Sequence, residues 1–88
     1  MFTVLWGPEA TEELTRLWLQ ADAAMRKRIT AASHAIDKVL ASEPDNTGES
    51  RPDGARIHFE FPLGIRFDVD NSSRTVSVLQ VWQFRKRK

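Results

Sequence analysis

Arg56-Ile57-His58-Phe59-Glu60-Phe61-Pro62-Leu63-Gly64-Ile65-Arg66-Phe67-Asp68-Val69-Asp70 alternates apolar with charged side chains on both sides of Pro62-Leu63-Gly64. A period of two marks half-buried β-strands. The interruption predicts a three-residue hairpin loop, opened by Pro62 and closed by Gly64 in the left-handed conformation that glycine adopts cheaply. Such a loop sets Phe61 opposite Ile65, Phe59 opposite Phe67 and Ile57 opposite Val69 on a buried face. On the outer face Glu60–Arg66, His58–Asp68 and Arg56–Asp70 then each join an acid to a base.

Working outward, Phe2 to Trp6 is a short β-prone run stopped by Gly7-Pro8. Pro8 suits the first turn of a helix, because its missing N–H has no partner there to lose. Ala10, Leu14, Leu17, Trp18 and Ala21 make one apolar stripe at helical spacing, which predicts a helix over 8–21. Asp22 is placed to cap a second helix whose stripe is Met25, Ile29, Ala32, Ile36, Val39 and Leu40, ended by Ser42-Glu43-Pro44. Two helices joined so tightly form a helical hairpin. Residues 45–54 are rich in turn formers and carry no periodicity, which predicts a mobile loop. Asn71-Ser72-Ser73 then turns the chain into a last strand over 74–84. There the apolar face changes between Val78 and Leu79, predicting a bulge or burial on both sides. The fold class is α+β, ordered β-α-α-β-β-β, with the helical hairpin packed on a small, mainly antiparallel sheet.

Length and composition narrow the functions. At 88 residues with 41% hydrophobic content, the expectation is a single domain over 1–88 that buries about 60–65% of its unfolded surface and gains from a partner. There is no cysteine, so disulfides, thiolate metal sites and thiol nucleophiles are excluded. No long apolar run is present, and Met1 to Trp6 is too short for a signal peptide or a membrane span and lacks a basic leader, so a cytoplasmic protein is expected. The formal charge of +1 does not by itself argue for nucleic acid. Its distribution says more, since Glu9, Glu12 and Glu13 lead the chain and Arg85-Lys86-Arg87-Lys88 closes it. Arg26-Lys27-Arg28 opens the second helix, where cations oppose the helix dipole.

The element order, with Gly48-Glu49-Ser50-Arg51 in the loop, Pro62-Leu63-Gly64-Ile65-Arg66-Phe67 across the turn and Val76-Ser77-Val78-Leu79-Gln80-Val81-Trp82 in the last strand, resembles the RelE/ParE superfamily of bacterial toxins. These are the toxin halves of type II toxin–antitoxin modules of the plasmid-stabilisation kind, silenced by a small antitoxin. The resemblance implies an antitoxin partner and one of two targets. RelE-like members cleave mRNA on the ribosome, and ParE-like members poison DNA gyrase. An endoribonuclease needs a base for the ribose 2′-hydroxyl, cations around the phosphorane and an acid for the leaving oxygen. The candidate catalytic set on the outer face is Arg56, His58, Arg66 and Arg85, His being the residue type that exchanges a proton near neutral pH. A cross-strand charge ladder is the competing account of the same residues. RelE-like sequences carry an Arg just after the hairpin turn, where this chain has Gly64, and a terminal Tyr, whereas this chain contains no tyrosine. That favours a rearranged site or a non-nuclease toxin, and a degenerate protein that only binds antitoxin is a third reading. No cofactor, metal, membrane or small-molecule ligand is implied. Trp82 and Phe84 share a parity; Trp82 is expected in the core, and Phe84 is left open.

Overall fold

The computed structural model describes residues 1–85. β1 (Thr3–Trp6), α1 (Pro8–Gln20), α2 (Ala23–Ser42), β2 (Glu49–Ser50), β3 (Arg56–Glu60), β4 (Leu63–Asp70) and β5 (Thr75–Gln83) follow in order. They build one five-stranded sheet, β1-β5-β4-β3-β2, antiparallel except for the parallel pairing of β1 with β5. The α+β order and both helices stand as expected. Asp22 caps α2, its Oδ1 accepting from Met25 N at 2.8 Å. The short strand β2 was not foreseen. Residues 45–54 are structured, through a 3₁₀ turn at Pro44–Asn46, β2, and bonds such as Arg51 N to Ala55 O at 2.8 Å.

The core lies between the helices and one face of the sheet. Ala10 of α1 and Ile29, Ala32, Ile36 and Leu40 of α2 meet Leu63, Ile65 and Phe67 of β4 and Val76, Val78 and Val81 of β5. One register shift reconciles the valines. Arg66 pairs with Gln80 but Phe67 with Val78, so Leu79 is an extra residue, and Val81 returns to the face of Val76 and Val78. Of the two expected alternatives, the bulge is the one formed. At the other edge the Trp6 indole donates from Nε1 to Asp37 Oδ1 at 2.6 Å, pinning β1 to α2.

The helices are also joined by a side chain. Arg26 donates from Nε to Trp18 O at 2.9 Å and from Nη2 to Leu19 O at 3.0 Å, adding side-chain donors to the last carbonyls of α1, where Trp18 O also accepts from Ala21 N at 3.2 Å. Its guanidinium lies 4.3 Å from the centre of the Trp18 ring. The first cation of Arg26-Lys27-Arg28 thus closes the preceding helix.

The central hairpin departs from expectation. Its loop is two residues, Phe61 and Pro62 joined by a cis bond, and β4 starts at Leu63. Glu60 faces Leu63, Phe59 faces Gly64, His58 faces Ile65, Ile57 faces Arg66 and Arg56 faces Phe67. The register differs from the expected one by three residues, an odd number, so β3 turns over. Ile57 and Phe59 lie on the open face, and Arg56, His58 and Glu60 share the face of buried Leu63, Ile65 and Phe67. Phe59, expected in the core, is 54% exposed. None of the three predicted acid–base pairs forms. The reason is Gly64, which sits in β4 rather than closing a turn. A Cβ there would come within 2.5 Å of the Trp82 ring. Phe59, Gly64 and Trp82 are paired across three strands, so Trp82 lies over the glycine and meets Phe59 at a centroid distance of 6.1 Å. Trp82 is therefore on the open face, not in the core as expected. Aromatic covering of a strand glycine fixes the register that alternation alone leaves free.

Between β4 and β5, Asp70 Oδ1 accepts from Ser72 Oγ at 2.7 Å, Ser72 N at 3.0 Å and Ser73 N at 3.2 Å. Arg74 adopts φ +54, and its guanidinium lies 4.5 Å from the Phe2 ring.

Two outcomes follow. Gly64→Ala should lower the free energy of unfolding by about 1–3 kcal/mol in denaturant titrations, because Trp82 must leave its seat; unchanged stability would contradict the packing. The Ser72 hydroxyl, followed by the Ser73 and Ser72 amides, holds the Asp70 carboxyl below its usual range. A lowered folded-state pKa stabilises above the unfolded value of about 3.9 and is lost as pH falls through the folded value. Asp70→Ala should therefore melt below wild type at pH 7, with the gap narrowing once the pH drops under about 4.

Candidate functional site

The structure does not bring the four candidate residues together. Arg56 lies on the helix-side face and donates from Nε to Thr47 O at 2.9 Å and from Nη2 to Gly48 O at 3.0 Å, holding the loop before β2. His58 shares that face. Its buried Nε2 has no hydrogen-bond partner and stands 3.5 Å from Glu60 Oε1. Arg66 is on the opposite, open face, paired with Asp53. The amide of Ala55 and then the Arg66 guanidinium hold the Asp53 carboxyl below its ordinary range. Arg85 follows β5 and is exposed. The expected outer-face cluster is thus corrected to two residues on one face, one on the other and one beyond the strand. The odd register shift is the cause. Lys86, Arg87 and Lys88 of the expected basic run lie outside the described residues.

What the open face carries instead is aromatic. Phe59 meets Phe84 at 5.2 Å and 77°, and Phe84 meets Phe61 at 5.7 Å and 86°. With the Phe59–Trp82 contact at 80°, four rings interlock edge to face, the arrangement their quadrupoles favour. Phe84 N donates to Pro62 O at 3.0 Å and anchors the end of the platform. The same face turns acidic toward its other end, where Asp53, Asp68 and Asp70 line an open cavity with Asn71, Thr75 and Ser77. The parity shared by Trp82 and Phe84 was legible in sequence. Its continuation into Phe59 needed the pairing.

A second surface lies on the helices. Leu14, Thr15, Trp18, Ile29, Thr30 and Ser33 line a cavity of about 240 Å³. Trp18 and Thr30 also border a neighbouring one of about 380 Å³ with Arg26, Lys27 and His34. The groove is apolar at one end and basic at the other. Among the described residues no ion pair uses Arg26, Lys27 or Arg28. Trp18, expected in the buried stripe of α1, is 39% exposed. Its place beside the cations 26–28 was the available signal. No group of three or more possible metal ligands occurs among the described residues, and no helix there is long and apolar enough to cross a membrane.

The chain matches no family model. No curated protein sequence matches it. Solved structures do. It covers 97% of its length against 98% of a chain in the chromosomal ParDE toxin–antitoxin system of P. aeruginosa, with 15% identity and a TM-score of 0.76. Against a chain of the RelBE2 toxin–antitoxin complex of Mycobacterium tuberculosis the coverage is 93% and 90%, the identity 19% and the TM-score 0.74. Against the isolated E. coli RelE toxin the coverage is 100% and 89%, the identity 14% and the TM-score 0.60. With helices, sheet and bulge already accounted for residue by residue, this chain has the fold of the RelE/ParE toxin structures.

Proposed function

We propose that this protein is the toxin of a type II toxin–antitoxin pair and that it acts by binding a protein target, DNA gyrase, without cleaving RNA. The observation that carries the second half is the separation of Arg56 and His58 from Arg66 by the thickness of the sheet. A phosphorane needs its base and its cations on one side of the scissile bond. Arg56 is further committed to Thr47 and Gly48, and Arg66 to Asp53. The missing tyrosine agrees with this.

The silencing partner belongs in the helix groove. An amphipathic segment with apolar residues over Leu14, Trp18 and Ile29 and carboxylates beside Arg26, Lys27 and His34 matches both ends of it. Trp18, half-covered at the junction of the two cavities, is the anchor such interfaces concentrate their energy on.

Expression alone should arrest growth, and co-expression of the small protein encoded beside it should restore it. Trp18→Ala should weaken that complex by about 2 kcal/mol, roughly 30-fold, with growth arrest retained. Purified protein should inhibit gyrase supercoiling, and His58→Ala and Arg66→Ala should inhibit as wild type does. Cleavage of translated mRNA in primer extension, abolished by His58→Ala or Arg66→Ala, would restore the nuclease reading and end this one.

A further inference from the structure

Trp82 belongs to two features of the surface at once. On the open face it meets Phe59, which is 54% exposed on a strand whose other four residues are partly covered. With Glu9 and Glu13 of α1 and Gln80 and Val81 of β5 it also lines a cavity of about 230 Å³. That cavity lies along the part of β5 that β1 leaves uncovered, since their pairing stops at Val78. A partner can reach it without displacing a strand. Glu13 is engaged by Arg16. Glu9 is exposed and, among the described residues, enters no ion pair. A carboxylate with no cation of its own beside an indole suits a guanidinium, whose planar fork matches the carboxylate and whose face stacks on aromatic rings. We infer that Glu9, Trp82 and Phe59 together receive a basic segment of the toxin's protein target, with an apolar side chain covering Phe59 and an arginine entering the cavity beside Glu9.

The inference rests on the toxin reading and names a surface and a partner chemistry for it. Charge selects the occupant. Carboxylates bound the rings on both sides, Glu9 and Glu13 at the uncovered edge of β5 and Asp53, Asp68 and Asp70 toward the far end of β4. A polyanion laid over this face would meet them in either direction, whereas a basic peptide finds partners there. The nearby cations do not cancel them: Arg66 is already paired with Asp53 and Arg51 with Glu49. Arg85 lies three residues past Trp82, about 10 Å at strand rise. The helix groove is basic at its open end, so the two surfaces differ in sign and select different partners.

The test uses the whole chain as wild type, Glu9→Lys, Glu9→Gln and Phe59→Ser, produced from a titratable promoter and also purified. Melting midpoints should agree within a few degrees, because both positions are exposed. Glu9→Gln removes only the charge and carries the test if reversal in the first turn of α1 lowers the midpoint. Glu9→Lys and Phe59→Ser should lose growth arrest and require at least about tenfold more protein for half-inhibition of gyrase supercoiling, with Glu9→Gln between them and wild type. Growth arrest by either folded variant at wild-type strength would overturn the inference while leaving the toxin reading intact. An acidic occupant would instead be gripped harder by Glu9→Lys, so stronger inhibition by that variant also overturns it. Wild type that fails to arrest growth would remove the toxin reading and this surface with it. If growth stops without gyrase inhibition, the variants' growth arrest decides. Should Glu9→Lys keep growth arrest but escape the co-expressed silencing protein, the surface belongs to that protein and the proposal fails. Oligo(U) and oligo(dT) serve as competing probes in fluorescence anisotropy; binding that Phe59→Ser abolishes would make this a nucleic-acid surface and overturn the proposal.

Discussion

One row across three strands, Phe59, Gly64 and Trp82, decides how the sheet presents itself. A side chain at position 64 would occupy the space of the Trp82 ring. With that space open, the tryptophan lies down, the phenylalanine meets it from the neighbouring strand, and the pairing of β3 with β4 has one setting. Everything on β3 follows from it. Its apolar residues, Ile57 and Phe59, look away from the helices, and its polar residues sit at the rim of the covered face, where Arg56 can reach the carbonyls of Thr47 and Gly48.

Much of the architecture is legible in the sequence because it is encoded locally. Pro8, Asp22 and the Ser42-Glu43-Pro44 stop bracket the helices within a residue of their observed ends, each through backbone donors and acceptors only a few positions away. The switch of apolar parity between Val78 and Leu79 is a bulge written into one strand. The facing of β3 is different in kind. Alternation says which residues share a side and not which side is covered, and Phe59 and Phe67 look alike in the string. What separates them is Gly64, whose meaning changes from turn former to seat once Trp82, eighteen positions later, is brought beside it. The candidate site inherited that ambiguity, so residues assigned to one face are divided between two.

The division of labour between the two sides of the molecule follows from the same geometry. The helix layer has a groove that is apolar at one end and basic at the other, and the sheet layer has an aromatic end and an acidic end. The fold shared with RelE and ParE chains at 14–19% identity therefore fixes the scaffold and leaves the chemistry to a small number of outward positions.

Arg26 sets a limit on how that groove can diverge. The guanidinium that floors its basic end also terminates α1 through Trp18 O and Leu19 O, and it is stacked on the Trp18 ring. Arg26 cannot be exchanged without taking both donors from the end of the first helix, whereas residue 18 gives that closure only its main-chain carbonyl. Under the reading proposed for the groove, discrimination among partners falls to Lys27 and His34, exposed lining residues with no such duty, free to drift around a fixed arginine.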